Sequence, residues 1–328
     1  MSYKDQLCFD LNDGTKMPAV GYGTWQSEEA DLIKALNTAL EVGYRHIDTA
    51  IVYFNEHVIG KVLQEWFSSG KLKREDIYIT TKLPFNAYRA RSVEKYIKKS
   101  LENLKLDYLD MYLIHGPFGF VEGEEFFPKN EDGKFKLDYD IDHVSLWKAM
   151  EEQVDAGRTK SIGISNFNIN QIQRLLDNSR IPPANLQVEL HINMQQKPLV
   201  EFCKKNNIVV TSYSSLGSPG TMVKFGKTVP TLMENPSVVK IAEKYGKSPA
   251  QIALQFIVQQ GIVIIPKSVN EKRVAENFKI LDFKIDDEDM ETLKGLDQGE
   301  AGRVLAFHEH FPGVEKHPEY PFPFLEKE

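Results

Sequence analysis

Two hydrophobic periods alternate along the chain. Short apolar runs rich in β-branched residues fall near 20–23, 45–48, 77–82, 109–115, 161–165, 186–190, 208–213 and 262–266, and each reads as a strand. Between them, apolar positions recur at helical spacing. The first helix carries Ile33, Leu36, Ala39 and Leu40 at that spacing, with Ser27 as its expected cap and Glu28, Glu29 and Asp31 in its first turn. Further helices are predicted over 56–67, 92–104, 144–156, 169–176, 198–205, 237–245, 249–260, 271–278 and 286–296. Continuous apolar strands suit a parallel sheet buried on both faces. Eight strand–helix units predict an α/β fold of the (β/α)8 TIM-barrel type. A doubly wound sheet is the alternative, but it usually has fewer units. Residues 6–18, QLCFDLNDGTKMP, alternate around Asp13-Gly14 and predict a hairpin that caps the barrel bottom.

Three stretches break the rhythm: loops at 117–142 and 217–235, and an irregular tail over 298–328. Barrel sites lie at the C-terminal rim, so these are the expected substrate and cofactor loops. With no linker or low-complexity segment, residues 1–328 read as one barrel domain.

The composition narrows the function. The 328 residues are 41% hydrophobic and 27% charged, with a formal charge of −7, which argues against nucleic acid as a partner. Two cysteines, Cys8 and Cys203, make neither a disulfide framework nor a metal cluster, and no metal site is expected. The opening MSYKDQLCFD has no apolar signal region, and no run approaches the roughly 20 apolar residues of a membrane helix. The expectation is a cytoplasmic protein acting on a small molecule.

The chemistry sits at the strand ends. The last residues of the strands, or those just after them, are Trp25, Asp48, Lys82, His115, Ser165-Asn166, Gln187, Tyr213 and Lys267-Ser268. Taken singly, each has a structural explanation: Asp48 or Ser165-Asn166 as helix caps, Lys82 as a solvated charge, His115 or Tyr213 as packing. Their convergence on one rim points to a site. Tyr53 follows Asp48 by five residues in GYRHIDTAIVYFNE, residues 43–56. Its unperturbed pKa of about 10 makes it a poor acid near neutrality. A nearby Lys82 is expected to lower that pKa, with Asp48 holding the lysine charged. His115, neutral, would orient a carbonyl. No side chain supplies a hydride, so a nicotinamide is the expected source. Tyr213 offers a ring to stack it on, and Ser165, Asn166 and Gln187 offer hydrogen bonds to its carboxamide.

No Rossmann fingerprint is present, since Gly21-Tyr22-Gly23 lacks the third glycine. A dinucleotide would instead be anchored at 265–270, IPKSVN, with Arg273 one turn on. Two cations at one phosphate-sized spot argue for a 2′-phosphate, hence NADPH over NADH.

The motifs GYRHIDTAIVYFNE, LDYLDMYLIHGP and IPKSVNEKRVAENF, with GISNFN and TSYSSLGSP, resemble in sequence and order those of the aldo-keto reductases. The chain is similar to aldose and aldehyde reductases from Leu7 to the tail, with the look of an insect-type member. The resemblance implies a catalytic tetrad of Asp48, Tyr53, Lys82 and His115. It implies NADPH contacts at Gly23, Thr24, Trp25, Asp48, Ser165, Asn166, Gln187, Tyr213, Ser214, Leu216, Ser218, Pro266, Lys267, Ser268, Val269, Asn270, Arg273, Glu276 and Asn277. It implies a monomer with a substrate wall at Trp25, Tyr53, Pro84, His115, Gly116, Phe118, Phe127 and Phe307. Pro84 and Gly116 stand where similar chains carry tryptophan, which is expected to widen the pocket. With Phe118, Phe120, Phe126, Phe127, Phe307 and Phe311 near the rim, this favours a bulky apolar carbonyl: an aromatic aldehyde, a terpenoid or a steroid ketone. Gly220 stands where similar chains carry an aspartate over the pyrophosphate, which is expected to speed cofactor release. The competing readings are a Schiff-base aldolase using Lys82, and a cofactor-binding regulatory or structural protein with little turnover.

Overall fold

In the computed structural model, which describes residues 2–219 and 231–323, eight parallel strands follow one another in chain order around a single sheet. A two-stranded hairpin precedes them: β1 (Cys8–Asp10) pairs antiparallel with β2 (Lys16–Pro18). Its turn is set by Gly14 at φ 83 and by Asp13, whose Oδ1 accepts from the Thr15 amide and hydroxyl at 2.9 and 2.7 Å. The barrel strands are β3 (Tyr22–Gly23), β4 (His46–Asp48), β5 (Tyr78–Leu83), β6 (Leu109–Ile114), β7 (Thr159–Ser165), β8 (Asn185–Glu189), β9 (Val209–Tyr213) and β10 (Val263–Ile264).

Closure comes through a parallel bridge between Val20 and Ile264. The Gly21 amide donates to the Ile264 carbonyl at 2.7 Å, and the Ile264 amide to the Ala19 carbonyl at 2.9 Å. The sheet is thus a (β/α)8 barrel, with first and last strands shorter than the sequence pattern predicts. The hairpin caps its bottom: Leu11 and Met17 join a buried cluster with Tyr78, Met111 and Val263.

Helices cover the outside, and the sequence marks several of their ends. Asn168 and Ser248 close capping boxes with Gln171 and Gln251, starting the helices Ile169–Leu176 and Pro249–Val258. The expected cap Ser27 does not act as one. Helix Glu29–Val42 starts from Glu28 without a side-chain bond, while the Ser27 hydroxyl is buried and unpartnered among the described residues. The loop 117–142 carries two antiparallel bridges, Phe120 to Leu137 and Lys129 to Phe135. The tail contains a short helix, Phe307–His310. Gly220 lies outside the described residues, as do 221–230 and 324–328. No described helix is long and apolar enough to cross a membrane.

Side chains two apart on a strand share a face, and this period delivers polar groups to the barrel interior. His46 and Asp48 share one face of β4, as do Thr80 and Lys82 on β5. Across the pair, His46 Nε2 lies 3.0 Å from Thr80 Oγ1, and Lys82 Nζ lies 2.6 Å from Asp48 Oδ1. Thr80, Asn185 and Thr211 are fully buried. Asn185 Nδ2 donates to Thr211 Oγ1 at 2.8 Å. Gly163 on β7 is required by close approach, because a Cβ there would sit 2.5 Å from the Asn185 carbonyl oxygen.

Candidate active site

The inward period ends at the C-terminal rim on Asp48, Lys82, Ser165, Gln187 and Tyr213, with Tyr53 supplied by the short 3-10 turn Ile51–Tyr53. Lys82 is fully buried, and its ammonium has three N–H donors. They go to Asp48 Oδ1 at 2.6 Å, the Thr49 carbonyl at 2.8 Å and the Tyr53 hydroxyl oxygen at 3.3 Å. The other Asp48 oxygen accepts from Gln187 Nε2 at 2.7 Å. Because Lys82 donates to the phenol oxygen, the Tyr53 O–H is left to point elsewhere. His115 stands beside it, the two rings edge-on with centroids 5.7 Å apart.

The electrostatics correct one expectation. Tyr53 is not brought below the ordinary phenol range. Burial pushes its pKa well up, and the Asp48 carboxylate adds to this. Tyr53 is therefore a protonated phenol. What Lys82 provides is a positive donor at 3.3 Å for the oxygen that would be left behind. Burial lowers the Lys82 ammonium below the usual lysine range, against the opposing pull of Asp48. His115 is held well below the usual imidazole range by burial and by the Lys82 charge, so it is neutral. Its Nδ1 is buried without a partner among the described residues, leaving Nε2 as the nitrogen for a ligand.

These side chains, Lys82 apart, open on a cavity of about 980 Å³, at the upper end of small-molecule sites. Of the expected cofactor contacts, all but Asn270 line it. Asn270 instead accepts from the Arg273 amide at 3.1 Å and caps helix Glu271–Phe278. A nicotinamide dinucleotide fits this donor set. Tyr213 presents a ring beside Asn166, to which its hydroxyl donates at 2.8 Å. Lys267 and Arg273 reach the same cavity, where Lys267 Nζ donates to the Gln26 carbonyl at 2.9 Å. The carboxamide donors are more committed than their identities suggest. Gln187 holds Asp48, while Asn166 Nδ2 donates to the His115 carbonyl at 3.1 Å and to Ser165 Oγ at 3.0 Å.

The substrate wall departs from expectation. Trp25, Tyr53, His115, Phe127 and Phe307 line the cavity; Pro84, Gly116 and Phe118 do not. Phe85 takes their place. Its ring stacks on His115 at 4.9 Å and on Phe118 at 5.2 Å, and a Cβ on Gly116 would lie 2.8 Å from its Cε1. The space vacated at Gly116 is therefore filled, and the pocket is not simply widened. Sequence reasoning also passed over Leu305, His310 and Met233, which line the cavity. It overlooked Glu189 as well, a fully buried carboxylate at the end of β8. Glu189 accepts from the Val304 and Leu305 amides at 2.6 and 2.8 Å and so ties the tail to the barrel. Strand-end position signals Glu189; nothing in hydrophobic periodicity signals Phe85, which lies in a 3-10 turn.

This constellation has known counterparts. The Aldo/keto reductase family matches residues 17–298. Aldo-keto reductase family 1 member A1 of Gallus gallus is 43% identical over 316 residues, covering 95% of this chain and 96% of that one. Prostaglandin F synthase 1 of Bos taurus is 40% identical over 317 residues, with the same coverage of 95% and 96%. The aldose reductase structure from Schistosoma japonicum matches with a TM-score of 0.89 at 40% identity, covering 97% of this chain and 99% of its own. With a family match over most of its length and relatives matched nearly end to end, the chain belongs to the aldo/keto reductase family, oxidoreductases acting on carbonyl groups.

Proposed function

We propose that the protein reduces an apolar aldehyde or ketone with NADPH, Tyr53 giving the proton. One observation carries the reading. The Lys82 ammonium uses its donors on Asp48, Thr49 and the Tyr53 oxygen, so a protonated phenol faces a cavity beside a neutral imidazole. NADPH, of the cofactor type that members of the family generally use, supplies the hydride when bound along the Tyr213 wall. A carbonyl oxygen accepts the Tyr53 O–H and the His115 Nε2–H. Both hydrogen bonds strengthen as negative charge develops on that oxygen. As Tyr53 releases its proton, the Lys82 N–H already at its oxygen stabilises the phenolate, and Asp48 keeps the lysine charged. Lys267 and Arg273 would hold a 2′-phosphate, Arg273 through a fork that matches it. The aromatic lining supports an apolar carbonyl rather than a polyhydroxylated one.

The test follows the near-ultraviolet absorbance of NADPH with aromatic aldehydes, aldoses and cyclic ketones, in wild type and Tyr53→Phe. The expected result is turnover in wild type, a loss of about a hundredfold or more in kcat for Tyr53→Phe, and unchanged NADPH binding. A Tyr53→Phe enzyme keeping most of its kcat would refute the acid role. Tight NADPH binding without turnover of any carbonyl would favour the regulatory or structural reading.

A further inference from the structure

We propose that Phe85 is the residue that selects among apolar carbonyls. It limits the site to planar aromatic ones, and it can do so only because residue 116 is glycine. The inference rests on the carbonyl-reductase reading above and goes beyond it in naming the substrate class.

Phe85 reaches the cavity yet is only 3% exposed. It is held on several sides. One face stacks on His115 with 4.9 Å between centroids and 23° between planes, and Phe118 stacks at 5.2 Å and 15°. Phe311, on the tail, closes a further side at 5.8 Å. The backbone is fixed as well, because the Phe120 amide donates to the Phe85 carbonyl at 2.9 Å. The next residue, Asn86, donates to the Gly123 and Glu125 carbonyls at 2.9 Å each, stapling the turn to the loop. A ring so packed has no alternative rotamer without displacing its neighbours.

Phe85 therefore behaves as a fixed wall next to the imidazole expected to touch the carbonyl. A flat ring can lie against such an edge; a puckered bicyclic ketone presents axial hydrogens to it. Glycine at 116 is the condition for this arrangement, since a Cβ would lie 2.8 Å from Phe85 Cε1 and 3.5 Å from Cζ. A side chain at 116 would displace the ring and disturb its stack on His115.

The experiment is a double-mutant cycle read with two probes, nitrobenzaldehyde (planar) and trans-decalone (puckered). Phe85→Ala is expected to raise the decalone-to-nitrobenzaldehyde ratio of kcat/KM by about tenfold or more, the scale of a pocket contact. Phe85→Leu should raise it by less, and it serves if the alanine variant folds poorly. Gly116→Ala alone should lower kcat/KM for both probes and lower Tm. In the Phe85→Ala background, Gly116→Ala should add neither loss, because the clash is gone. An unmoved ratio in both Phe85 variants, or a Gly116→Ala protein indistinguishable from wild type, would overturn the inference while wild-type turnover left the carbonyl-reductase reading standing. Wild type that oxidises NADPH with neither these probes nor any other carbonyl overturns that reading, and this one with it.

Discussion

Removing either partner of the buried Asp48–Lys82 pair should destabilise the fold with opposite dependences on pH. The pair is 2.6 Å apart, with the Lys82 and Asp48 side chains 1% and 3% exposed. Breaking such a pair typically costs about 3–5 kcal/mol, because a charge is left in low dielectric. The size is bounded by protonation. In Asp48→Asn, Lys82 can escape by losing its proton, which at about pH 7 costs about 5 kcal/mol from a reference pKa near 10.4. Gln187 Nε2, which donates to Asp48 at 2.7 Å, partly satisfies the lone carboxylate and makes Lys82→Met the milder change.

The sign follows by linkage. A carboxylate left in low dielectric without its cation is relieved by protonation, so the defect of Lys82→Met shrinks as pH falls. Lys82 without its anion has a folded pKa further below its unfolded one, so the defect of Asp48→Asn shrinks as pH rises. The double variant Asp48→Asn/Lys82→Met buries no charge and should be more stable near neutrality than either single one. For 328 residues, an unfolding entropy of about 0.7 kcal/mol per kelvin makes a 4 kcal/mol loss about 6 °C in Tm. Chemical denaturation of all four proteins between about pH 5.5 and 8.5 reads the effect without any substrate, and comparison at each pH removes the wild type's own drift. Slopes of the same sign in the two single variants, or a double variant no better than the worse of them, would refute the reasoning.

Three further outcomes are expected. Lys267→Met and Arg273→Met should each weaken NADPH binding by about tenfold or more while changing NADH little; equal weakening of both cofactors would place these cations elsewhere than on a 2′-phosphate. Glu189→Gln should loosen the tail, seen as faster hydrogen exchange at Val304 and Leu305 and a loss of about 1–3 kcal/mol, because Glu189 holds both amides. There, burial raises the carboxyl pKa, but the His191 contact at 3.1 Å and its other partners outweigh it and keep the group ionised. Wild type should lose stability in acid. Burial depresses His46 to about 3, so the unfolded chain takes its proton near pH 6.5 and the folded one does not. The loss begins below that pH and amounts to about 3 kcal/mol from His46 alone at about pH 4; a His46→Gln protein with an equally steep acid limb would exclude this cause.

Much of this protein is written locally. Eight apolar runs alternating with helical periods specify a parallel α/β fold, because strands buried on both faces read as continuous apolar runs, and the number of units favours the barrel. The polar residues ending those runs mark the rim because an inward polar group there meets the cavity rather than the core. Asp48, Lys82, His115, Ser165, Gln187 and Tyr213 were all legible on that ground, and Tyr53 by its distance from Asp48. What the sequence left open is how these groups divide their contacts and charge. The direction of the Tyr53 shift depends on how much atom density surrounds the phenol against one ammonium at 3.3 Å, a balance set by packing. The assignment of Gln187 to Asp48 is a contact across 139 residues, and no spacing foretells it. The substrate wall was least legible, for the same reason. Pro84 and Gly116 predict lost volume, but only the folded chain shows Phe85, from a turn with no periodicity, occupying the space that Gly116 leaves. Local sequence determines which elements form and which faces are inward; which side chain fills a shared volume is decided by close packing among segments brought together only in the tertiary structure.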